Sequence, residues 1–392
     1  MRLLLLAGAC VSFLLPGLSA AEAVESLSQL RLVNDLVENS SNAAVTIPAA
    51  AGAGLLSPGS VMESEMCSGL DCESFGPEAG PEELFLMKQI LPAPGKIVLP
   101  AANPSFAPSA LPLVIGHRGF GEKTVPEPES TLAALERGFA MGAGAVELDV
   151  QLSRDGELVL THNINVDAIS TSRGCVADFT REELQGLVLL DGDKRPSTER
   201  MAAFADVLPM LRRQADTHAG DAGAGIVAVV HIKIFDGFHG DWPGGNLLHR
   251  PCPKTDYKAI ARKTYEAVES AGLTGRIMFV SFDYRVLDVI RSARSDARVG
   301  LLSIRRTPAI TAAASRRYDA VALYHDRVQR RDLERARAHG LRVYVWSPTK
   351  KQSIEKFATE KGKVGKVDGI ITNSIPDAIE CVSARQGAGK NR

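Results

Sequence analysis

The stretch VIGHRGFGEKTVPEPESTLAALERGFAMGAGAVELDVQLSRDGELVLTHN, residues 114–163, decides the expected fold. One apolar run in it ends in a His-Arg-Gly tripeptide that begins at His117. A second apolar run carries Glu147 and Asp149, and a third ends in His162. Each polar group therefore lies at or near the end of a predicted strand, where barrel and open-sheet α/β enzymes collect their reactive side chains. Two histidines, an arginine and a carboxylate pair are the groups that metal-assisted cleavage of a phosphate ester requires.

Downstream of Leu111 the sequence alternates between short apolar runs and helical segments. The predicted strands are Leu113–His117, Ala145–Leu152, Ile226–Ile234, Arg276–Phe282, Ala297–Ile304, Ala320–Tyr324, Arg342–Trp346 and Val367–Thr372. The predicted helices include Ser130–Met141, Asp256–Ala271, Tyr284–Ala293, Val328–His339 and Lys351–Lys361. Eight strands separated by helices over about 270 residues favour an α/β fold, the closed (β/α)8 TIM barrel.

Two further features refine this fold prediction. Leu158–His162 follows Asp155 and Gly156, which is typical of the return arm of a short hairpin. The alternative architecture is a doubly wound open sheet. It has less support because no GxGxxG motif follows the first strand.

Composition sets limits on the partners. The chain has 392 residues and a net charge of −1, from 45 Lys and Arg against 46 Asp and Glu. This balance argues against binding to nucleic acid or another polyanion, because such domains are normally strongly basic. The hydrophobic content of 45% is enough for a large core. Beyond the N-terminus no segment is apolar for long enough to predict a stable membrane span.

The first 108 residues are expected to lie outside the barrel. Residues 1–21 resemble a cleavable signal peptide, which predicts a protein secreted or held in the lumen of the secretory pathway. An uncleaved anchor helix is the alternative. Residues 22–108 are rich in Ala, Gly, Pro and Ser, and form an irregular N-terminal extension, either a pro-segment or a linker. The barrel is assigned to residues 109–384 and a flexible tail to 385–392.

Five cysteines remain after the signal peptide. In an oxidising compartment Cys67 and Cys72 could close a small loop, and Cys175 with Cys252 is a candidate second disulfide. The fifth, Cys381, would then be left as a thiol. The alternative is that several of them are simply small buried residues.

Several short motifs resemble one enzyme family. HRG at residues 117–119, PEST at 128–131, ELD at 147–149 and HN at 162–163 occur in the order of the HRG, PENT, ELD and HD or HN motifs of glycerophosphodiester phosphodiesterases. The resemblance extends from Leu111 to Glu380. It implies a TIM barrel and hydrolysis of a glycerophosphodiester to an alcohol and glycerol 3-phosphate. The implied partner is a small phosphodiester such as glycerophosphocholine.

The resemblance also implies how the histidines work. His117 and His162 are predicted to be the catalytic pair, because imidazole titrates near neutral pH. One would activate the nucleophile and the other would protonate the departing alcohol. The nucleophile is either water or a neighbouring hydroxyl of the substrate, and both routes stay open.

The side chains predicted to bind phosphate or substrate are Arg118, Lys233, Trp346 and Glu129. The arginine offers a planar fork of donors that matches phosphate oxygens, and the lysine adds a second positive charge. In similar enzymes the glutamate of the PENT motif supports the active site. Trp346 could equally belong to the core. Ser130 replaces the usual asparagine of the motif and is expected to cap the following helix.

Glu147, Asp149 and His231 are the predicted metal ligands. Glu147 and Asp149 are two positions apart on one strand, so both side chains point to the same face. Their oxygens suit Mg²⁺ or Ca²⁺. The third ligand in the family is usually a glutamate, and His231 stands in its place. Either His231 ligates through nitrogen, which would favour a transition metal, or it leaves that coordination position to water.

Two other functions remain open. One is a phospholipase D-like enzyme acting on lysophospholipids or sphingomyelin, which a mouth lined by exposed apolar groups would favour. The other is a catalytically weakened phosphodiester-binding relative, suggested by His231. The segment between Phe235 and Thr255 is expected to form a loop over the barrel mouth, with His239 and Trp242 as candidate substrate contacts.

Overall fold

A closed barrel of eight parallel strands is the framework of the protein in this computed structural model, which describes residues 111–121, 127–217, 225–235 and 252–383. The predicted signal peptide, the extension, the Cys67–Cys72 pair, the candidate contacts His239 and Trp242, and the C-terminal tail lie outside the described residues.

The strands follow one another in chain order around the barrel. They are β1 (Leu113–Gly116), β2 (Ala145–Leu152), β3 (Leu158–Leu160), β4 (Ala228–Ile232), β5 (Ile277–Ser281), β6 (Arg298–Ser303), β7 (Ala320–Tyr324), β8 (Arg342–Trp346) and β9 (Gly369–Thr372). β1 closes the barrel because it pairs in parallel with both β2 and β9, with Ile115 opposite Ala145 and Ile371. β3 pairs antiparallel with β2, as predicted for the hairpin arm. The TIM-barrel prediction is confirmed.

Helices surround the barrel. They are α1 (Leu132–Ala140), α2 (Arg181–Gly186), α3 (Phe204–Thr217), α4 (Tyr257–Ser270), α5 (Tyr284–Ala293), α6 (Arg306–Ser315), α7 (Arg330–Ala338), α8 (Lys351–Ala358) and α9 (Ile375–Ser383). Short 3₁₀ turns cover Val176–Asp178 and His325–Arg327. None of the helices in the described ranges is both long and apolar enough to cross a bilayer.

The core has two layers, and they explain where the polar groups of β2 point. The outer layer, between strands and helices, contains Val146 and Leu148. The inner layer, inside the barrel, contains Ala145 of the same strand. Since successive side chains of a strand point to opposite faces, Glu147 and Asp149 point inward with Ala145. The barrel interior is therefore apolar at one level and charged near the carboxyl ends of the strands.

The cap of α1 differs from the prediction. Thr131, not Ser130, is the N-cap residue, and its hydroxyl accepts a hydrogen bond from the backbone N–H of Ala134 at 3.2 Å. Ser130 has a φ of 63° and is 2% exposed. Its backbone N–H donates to the carbonyl of Arg118 at 3.0 Å, which draws it into the turn before the cap. The expectation that Ser130 caps the helix was wrong for this reason.

The Cys175–Cys252 disulfide is confirmed. It joins residues 77 positions apart, with the two Cα atoms separated by 5.5 Å. Cys175 precedes the 3₁₀ turn after β3, and Cys252 precedes α4. The bond packs against Phe235 and Ile164. Cys381 remains a buried thiol.

Candidate active site

A cavity of about 400 Å³ opens at the carboxyl ends of the strands. Its lining consists of His117, Arg118, Glu147, Asp149, His162, His231, Lys233, Val280, Phe282, Leu302, Tyr324, His325, Trp346, Ser347, Thr349 and Ile371. Of the nine side chains predicted for the site, all but Glu129 line this cavity. Glu129 lies next to it and contacts Arg118.

His117 directly follows β1 and is held by the last strand. The pairing of β1 with β9 places Asn373, which follows β9, beside the ring, and His117 Nδ1 lies 2.6 Å from Asn373 Oδ1. An amide oxygen accepts only, so this contact places the proton of neutral His117 on Nδ1. Nε2 then carries the lone pair, 3.9 Å from Glu147 Oε2. Burial, helped by the charge of Arg118, lowers the pKa of His117 to about 3.

Arg118 is fixed by contacts on both its backbone and its side chain. Its φ of 53° is unusual for a non-glycine residue. Its backbone N–H donates to Glu147 Oε2 at 3.0 Å, and its Nη1 lies 2.9 Å from each carboxylate oxygen of Glu129. Gly119 follows with a φ of 94°, and a Cβ there would lie 2.6 Å from the backbone of Ala134. The turn after β1 thus requires glycine at this position.

His162 enters the cavity from the end of the hairpin arm. Its Nδ1 lies 3.2 Å from the side-chain oxygen of Asn163. Burial is the main reason that its pKa lies well below the usual value, and the charges of Lys233 and Arg118 lower it further. His117 and His162 are therefore both half-buried in the cavity wall, and the pKa of each is lowered chiefly by its burial there.

The carboxyl groups of β2 have pKa values shifted in opposite directions. Burial and the charge of Asp149 raise the pKa of Glu147 well above its usual value. Burial also acts to raise the pKa of Asp149. Lys233, His162 and His231 outweigh that effect and hold the pKa of Asp149 well below its usual range. Such opposite shifts are expected when two carboxyl groups share one site.

His231 and Lys233 come from β4, the neighbour of β2. Asp149 and His231 are register partners in this pair of strands. His231 Nδ1 lies 2.8 Å from Asp149 Oδ1, and Lys233 Nζ lies 3.7 Å from the same oxygen. Both side chains are more than nine-tenths buried. The third barrel strand therefore brings a nitrogen ligand and a fixed positive charge against the carboxylate pair.

Glu147, Asp149 and His231 form a group that could hold a metal ion, because one ligand atom from each lies within 4.8 Å of the others. Asp149 Oδ2 is buried and accepts no hydrogen bond from the described residues. Arg118 Nε lies 3.8 Å away, too far for a hydrogen bond. A buried carboxylate oxygen without a donor is the environment in which a cation is stabilising. The donor set of two carboxylates and one imidazole fits a divalent metal.

An aromatic wall, formed by Phe282, Tyr324 and Trp346, faces the charged groups. Phe282 and Trp346 make an edge contact with ring centroids 5.7 Å apart, and Tyr324 lies 5.2 Å from Trp346. Trp346 Nε1 donates to the carbonyl of Ala322 at 3.0 Å, which fixes the ring. Trp346 thus both lines the cavity and packs within the barrel.

Sequence reasoning missed the partners of the predicted residues. Asn373, Phe282, Tyr324 and His325 were not proposed for the site. Each lies within one residue of the end of a barrel strand. That position was a signal common to all four, and Phe282 and Asn373 also lie in segments, 280–282 and 367–373, that resemble the family.

The chain matches the model of the glycerophosphoryl diester phosphodiesterase family over residues 117–237 and 245–376. A glycerophosphodiester phosphodiesterase of Caldanaerobacter subterraneus subsp. tengcongensis is 28% identical over 273 residues, which are 69% of this chain and 97% of the relative.

Two solved structures have the same fold. A glycerophosphodiester phosphodiesterase from Parabacteroides distasonis superposes with a TM-score of 0.54 at 19% identity, over 70% of this chain and 97% of its own. An Oleispira antarctica phosphodiesterase in complex with the product sn-glycerol-3-phosphate gives 0.55 at 16% identity, with coverages of 70% and 97%. Because the family match covers more than half of the chain, the protein belongs to the glycerophosphoryl diester phosphodiesterase family.

Proposed function

We propose that the protein hydrolyses glycerophosphodiesters to an alcohol and glycerol 3-phosphate, with His117 and His162 as its proton-transfer groups. The observation that carries this proposal is the meeting of both histidines, Arg118, Lys233 and a carboxylate pair in one cavity. Family membership supports it, as does the name of the Caldanaerobacter relative, which this chain spans almost completely.

Arg118 and Lys233 would hold the phosphodiester. Both are cations at the cavity wall, and each lies close to Asp149 rather than in open solvent. Glu129 holds the guanidinium in one orientation through Nη1, which limits the conformational entropy that Arg118 loses when substrate binds. Glu129 therefore acts on substrate through Arg118.

His117 is the candidate general base. Its Nδ1 is committed to Asn373, so the free lone pair of the neutral ring is on Nε2. That nitrogen would take the proton of the nucleophile, water or a substrate hydroxyl, as the new bond to phosphorus forms. Asn373 holds the ring in the tautomer that this role needs.

His162 is the candidate general acid. It would donate a proton to the alcohol oxygen as the bond from that oxygen to phosphorus breaks. A bound phosphodiester adds a negative charge beside His162, opposing the effect of Lys233 and Arg118 and favouring the protonated ring. Positioned acid and base groups of this kind typically contribute factors of about 10² to 10⁴ to the rate.

A divalent cation would be held by Glu147, Asp149 and His231. When bound, it would supply Lewis-acid stabilisation of the charge that develops on the phosphoryl oxygens. Mg²⁺ or Ca²⁺ suits the two carboxylates, and the imidazole of His231 also admits a transition metal such as Mn²⁺.

A lysophospholipid substrate has less support. In the described part of the chain, the exposed large apolar side chains are Met141 and Val188, and neither lines the cavity. The apolar surface that the aromatic wall adds to the cavity comes from three side chains. We therefore place the short, polar glycerophosphodiesters ahead of substrates with an acyl chain.

The test is release of glycerol 3-phosphate from glycerophosphocholine by the full chain, with Mg²⁺, Ca²⁺, Mn²⁺ or EDTA. His117→Ala and His162→Ala are expected to lower kcat by about 10² to 10⁴ each. His339→Ala is the matched control, because His339 is exposed at the end of α7 and remote from the cavity. EDTA is expected to abolish turnover.

Three outcomes would contradict the proposal. Turnover that persists in EDTA would show that the reaction needs no metal. Normal kcat in both histidine variants would contradict the two-histidine mechanism. Absence of glycerol 3-phosphate with every metal, together with choline release from lysophosphatidylcholine, would replace the proposed substrate.

A further inference from the structure

The charge of the protein is unevenly distributed around the barrel. Residues 252–383, which contain β5 to β9, carry 25 Lys and Arg against 15 Asp and Glu. Residues 111–235, which contain β1 to β4, carry 12 against 18. The net charge of −1 therefore conceals a basic half and an acidic half. A strong local excess of one sign produces a field that attracts partners of the opposite sign.

Part of this excess lies at the mouth of the cavity. We define the basic rim as Arg305, Arg327, Arg331 and Lys350. Arg305, Arg327 and Lys350 lie in the connections from β6 to α6, β7 to α7 and β8 to α8, and Arg331 lies in the first turn of α7. β6, β7 and β8 are neighbours in the barrel, so these three connections lie side by side at the face that carries the cavity. Three of the four residues are exposed, and Arg305 is half-buried.

The rim adjoins the cavity directly. Arg327 is two residues after His325, and Lys350 follows Thr349, and both of these neighbours line the cavity. The rim does not include Arg306, which pairs with the buried Asp332, or Lys351, which pairs with Glu380.

Helix stability does not explain the rim. Cations are unfavourable at a helix N-terminus, where the dipole and the unsatisfied N–H groups already create positive potential. Arg305 and Lys350 nevertheless occupy the N-cap positions of α6 and α8, and neither makes a side-chain capping bond. α4 and α5, on the adjoining side of the barrel, begin with Asp256 and Asp283, which do cap. The rim therefore keeps positive charge where local structure favours negative charge.

We propose that the basic rim docks the mouth of the barrel on an anionic lipid bilayer. The three connections lie at one end of the barrel, so their cations can meet a plane of lipid phosphates together. Clusters of four to eight basic residues are the usual signature of such surfaces. Docking would place the cavity where lipid-derived phosphodiesters are formed, a point that rests on the proposed function.

The test uses co-sedimentation of the full chain with vesicles of phosphatidylcholine alone or with about one third phosphatidylglycerol, at low and at physiological salt. The full chain is expected to sediment with the mixed vesicles only, and less so as salt rises. The double variant Arg327→Gln/Lys350→Gln is expected to reduce partitioning about 25-fold, since each cation near an anionic surface contributes about a factor of five.

The matched control is Arg317→Gln/Arg337→Gln. It removes the same charge from exposed positions at the far ends of α6 and α7. Its partitioning is expected to stay near that of the unaltered chain. An equal loss in both double variants would overturn the proposal, because net charge and not the rim would then be responsible.

Two further results would also overturn it. One is a chain that sediments equally with both kinds of vesicle. The other is a chain that binds neither kind but binds duplex DNA through the rim. Hydrolysis of soluble glycerophosphocholine is a separate readout and is expected to be normal in both double variants. Failure of docking with normal hydrolysis would therefore leave the proposed function intact.

Discussion

At the scale of single residues, the half-buried imidazole of His117 couples folding to pH. Its pKa is lowered to about 3, whereas imidazole in an unfolded chain titrates near 6.5. Between these values the unfolded chain binds a proton that the folded chain excludes. The free energy of unfolding therefore falls as the pH drops through this window.

We predict that His117→Asn makes the protein less sensitive to acid. Between pH 7 and pH 5 in EDTA, the unaltered chain should lose about 2 kcal/mol more of its unfolding free energy than the variant does. Urea denaturation at both pH values measures this difference. His339→Asn, at an exposed position, should keep the original dependence. Equal losses in His117→Asn and the unaltered chain would show that His117 is protonated in the folded state.

Ser130 and Thr131 are adjacent, yet substituting them should change the stability of the protein in opposite directions. Ser130 has a positive φ, and its buried hydroxyl has no hydrogen-bond partner among the described residues. Ser130→Gly should therefore stabilise the protein by about 1 kcal/mol. Thr131→Ala removes the cap of α1 and should destabilise it by about 1 kcal/mol. Thermal unfolding of the two variants checks both signs, and a destabilised Ser130→Gly would mean that the hydroxyl is bonded.

His231 should set which metal binds. It contacts Asp149 on one side and the edge of Phe282 on the other. Substituting His231→Glu adds an oxygen ligand and a negative charge, so affinity for Mg²⁺ should rise about tenfold and the relative preference for Mn²⁺ should fall. Calorimetric titration of each metal measures this without turnover. The reverse substitution on the neighbouring ligand, Glu147→His, should weaken Mg²⁺ binding. Unchanged affinities in His231→Glu would exclude position 231 from the metal site.

The site residues that sequence could predict are those whose chemical type is itself informative. His117, Glu147 and Asp149 were found because paired carboxylates and a strand-end histidine are rare without a function. Asn373 was missed, since an asparagine after a strand is ordinary in a turn and becomes informative only when β1 and β9 are known to pair. The predicted closed barrel makes β1 and β9 neighbours, but only their observed register shows that Asn373 lies beside His117.

At the scale of elements, the disulfide ties the segment after β3 to the segment before α4. The bond closes a long loop in the unfolded chain, so removing it with Cys175→Ser/Cys252→Ser should lower the unfolding free energy by about 2 to 5 kcal/mol. Denaturation with and without a reductant measures the effect. The reductant should destabilise the unaltered chain and leave the double variant unchanged. Cys381→Ser, which alters the remaining described thiol, should stay sensitive to the reductant.

Strands and helices were predicted well where the sequence has a clear pattern, either the apolar run of a buried strand or the period of an amphipathic helix. β2 and β8 have the predicted bounds, and α5 does as well. α6 was not proposed because its sequence, RTPAITAAAS, has small apolar residues on all sides and no amphipathic period. α3 was missed as well, and it contains Pro209, which weakens the helical signal. α6 is specified by packing against its neighbours, with Ala309 and Ala313 fully buried.

At the scale of the whole molecule, overall charge was a poor guide to the surface. Near-equal totals of acidic and basic residues led to the expectation that no polyanion binds, yet the two halves of the barrel carry opposite excesses. Because β5 to β9 are consecutive neighbours in the barrel, the uneven distribution of charge along the chain becomes an uneven distribution of charge around the barrel. The basic half includes the aromatic wall and one side of the cavity mouth. The field at the mouth should therefore act on approaching substrates as well.

The field of the basic half should make the hydrolysis of anionic substrates sensitive to salt. Glycerophosphoglycerol carries a net negative charge, whereas glycerophosphocholine is a zwitterion, so only the first should be steered by the basic half. Its kcat/KM should fall severalfold as ionic strength rises through about 0.1 M, where the screening length is about 10 Å, while the value for glycerophosphocholine should change little. Steady-state kinetics of both substrates across a salt series gives the comparison. In Arg327→Gln/Lys350→Gln the salt dependence for glycerophosphoglycerol should become shallower, and in Arg317→Gln/Arg337→Gln it should remain. Identical salt dependence for the two substrates would mean that the charge of the mouth is already neutralised when substrate arrives.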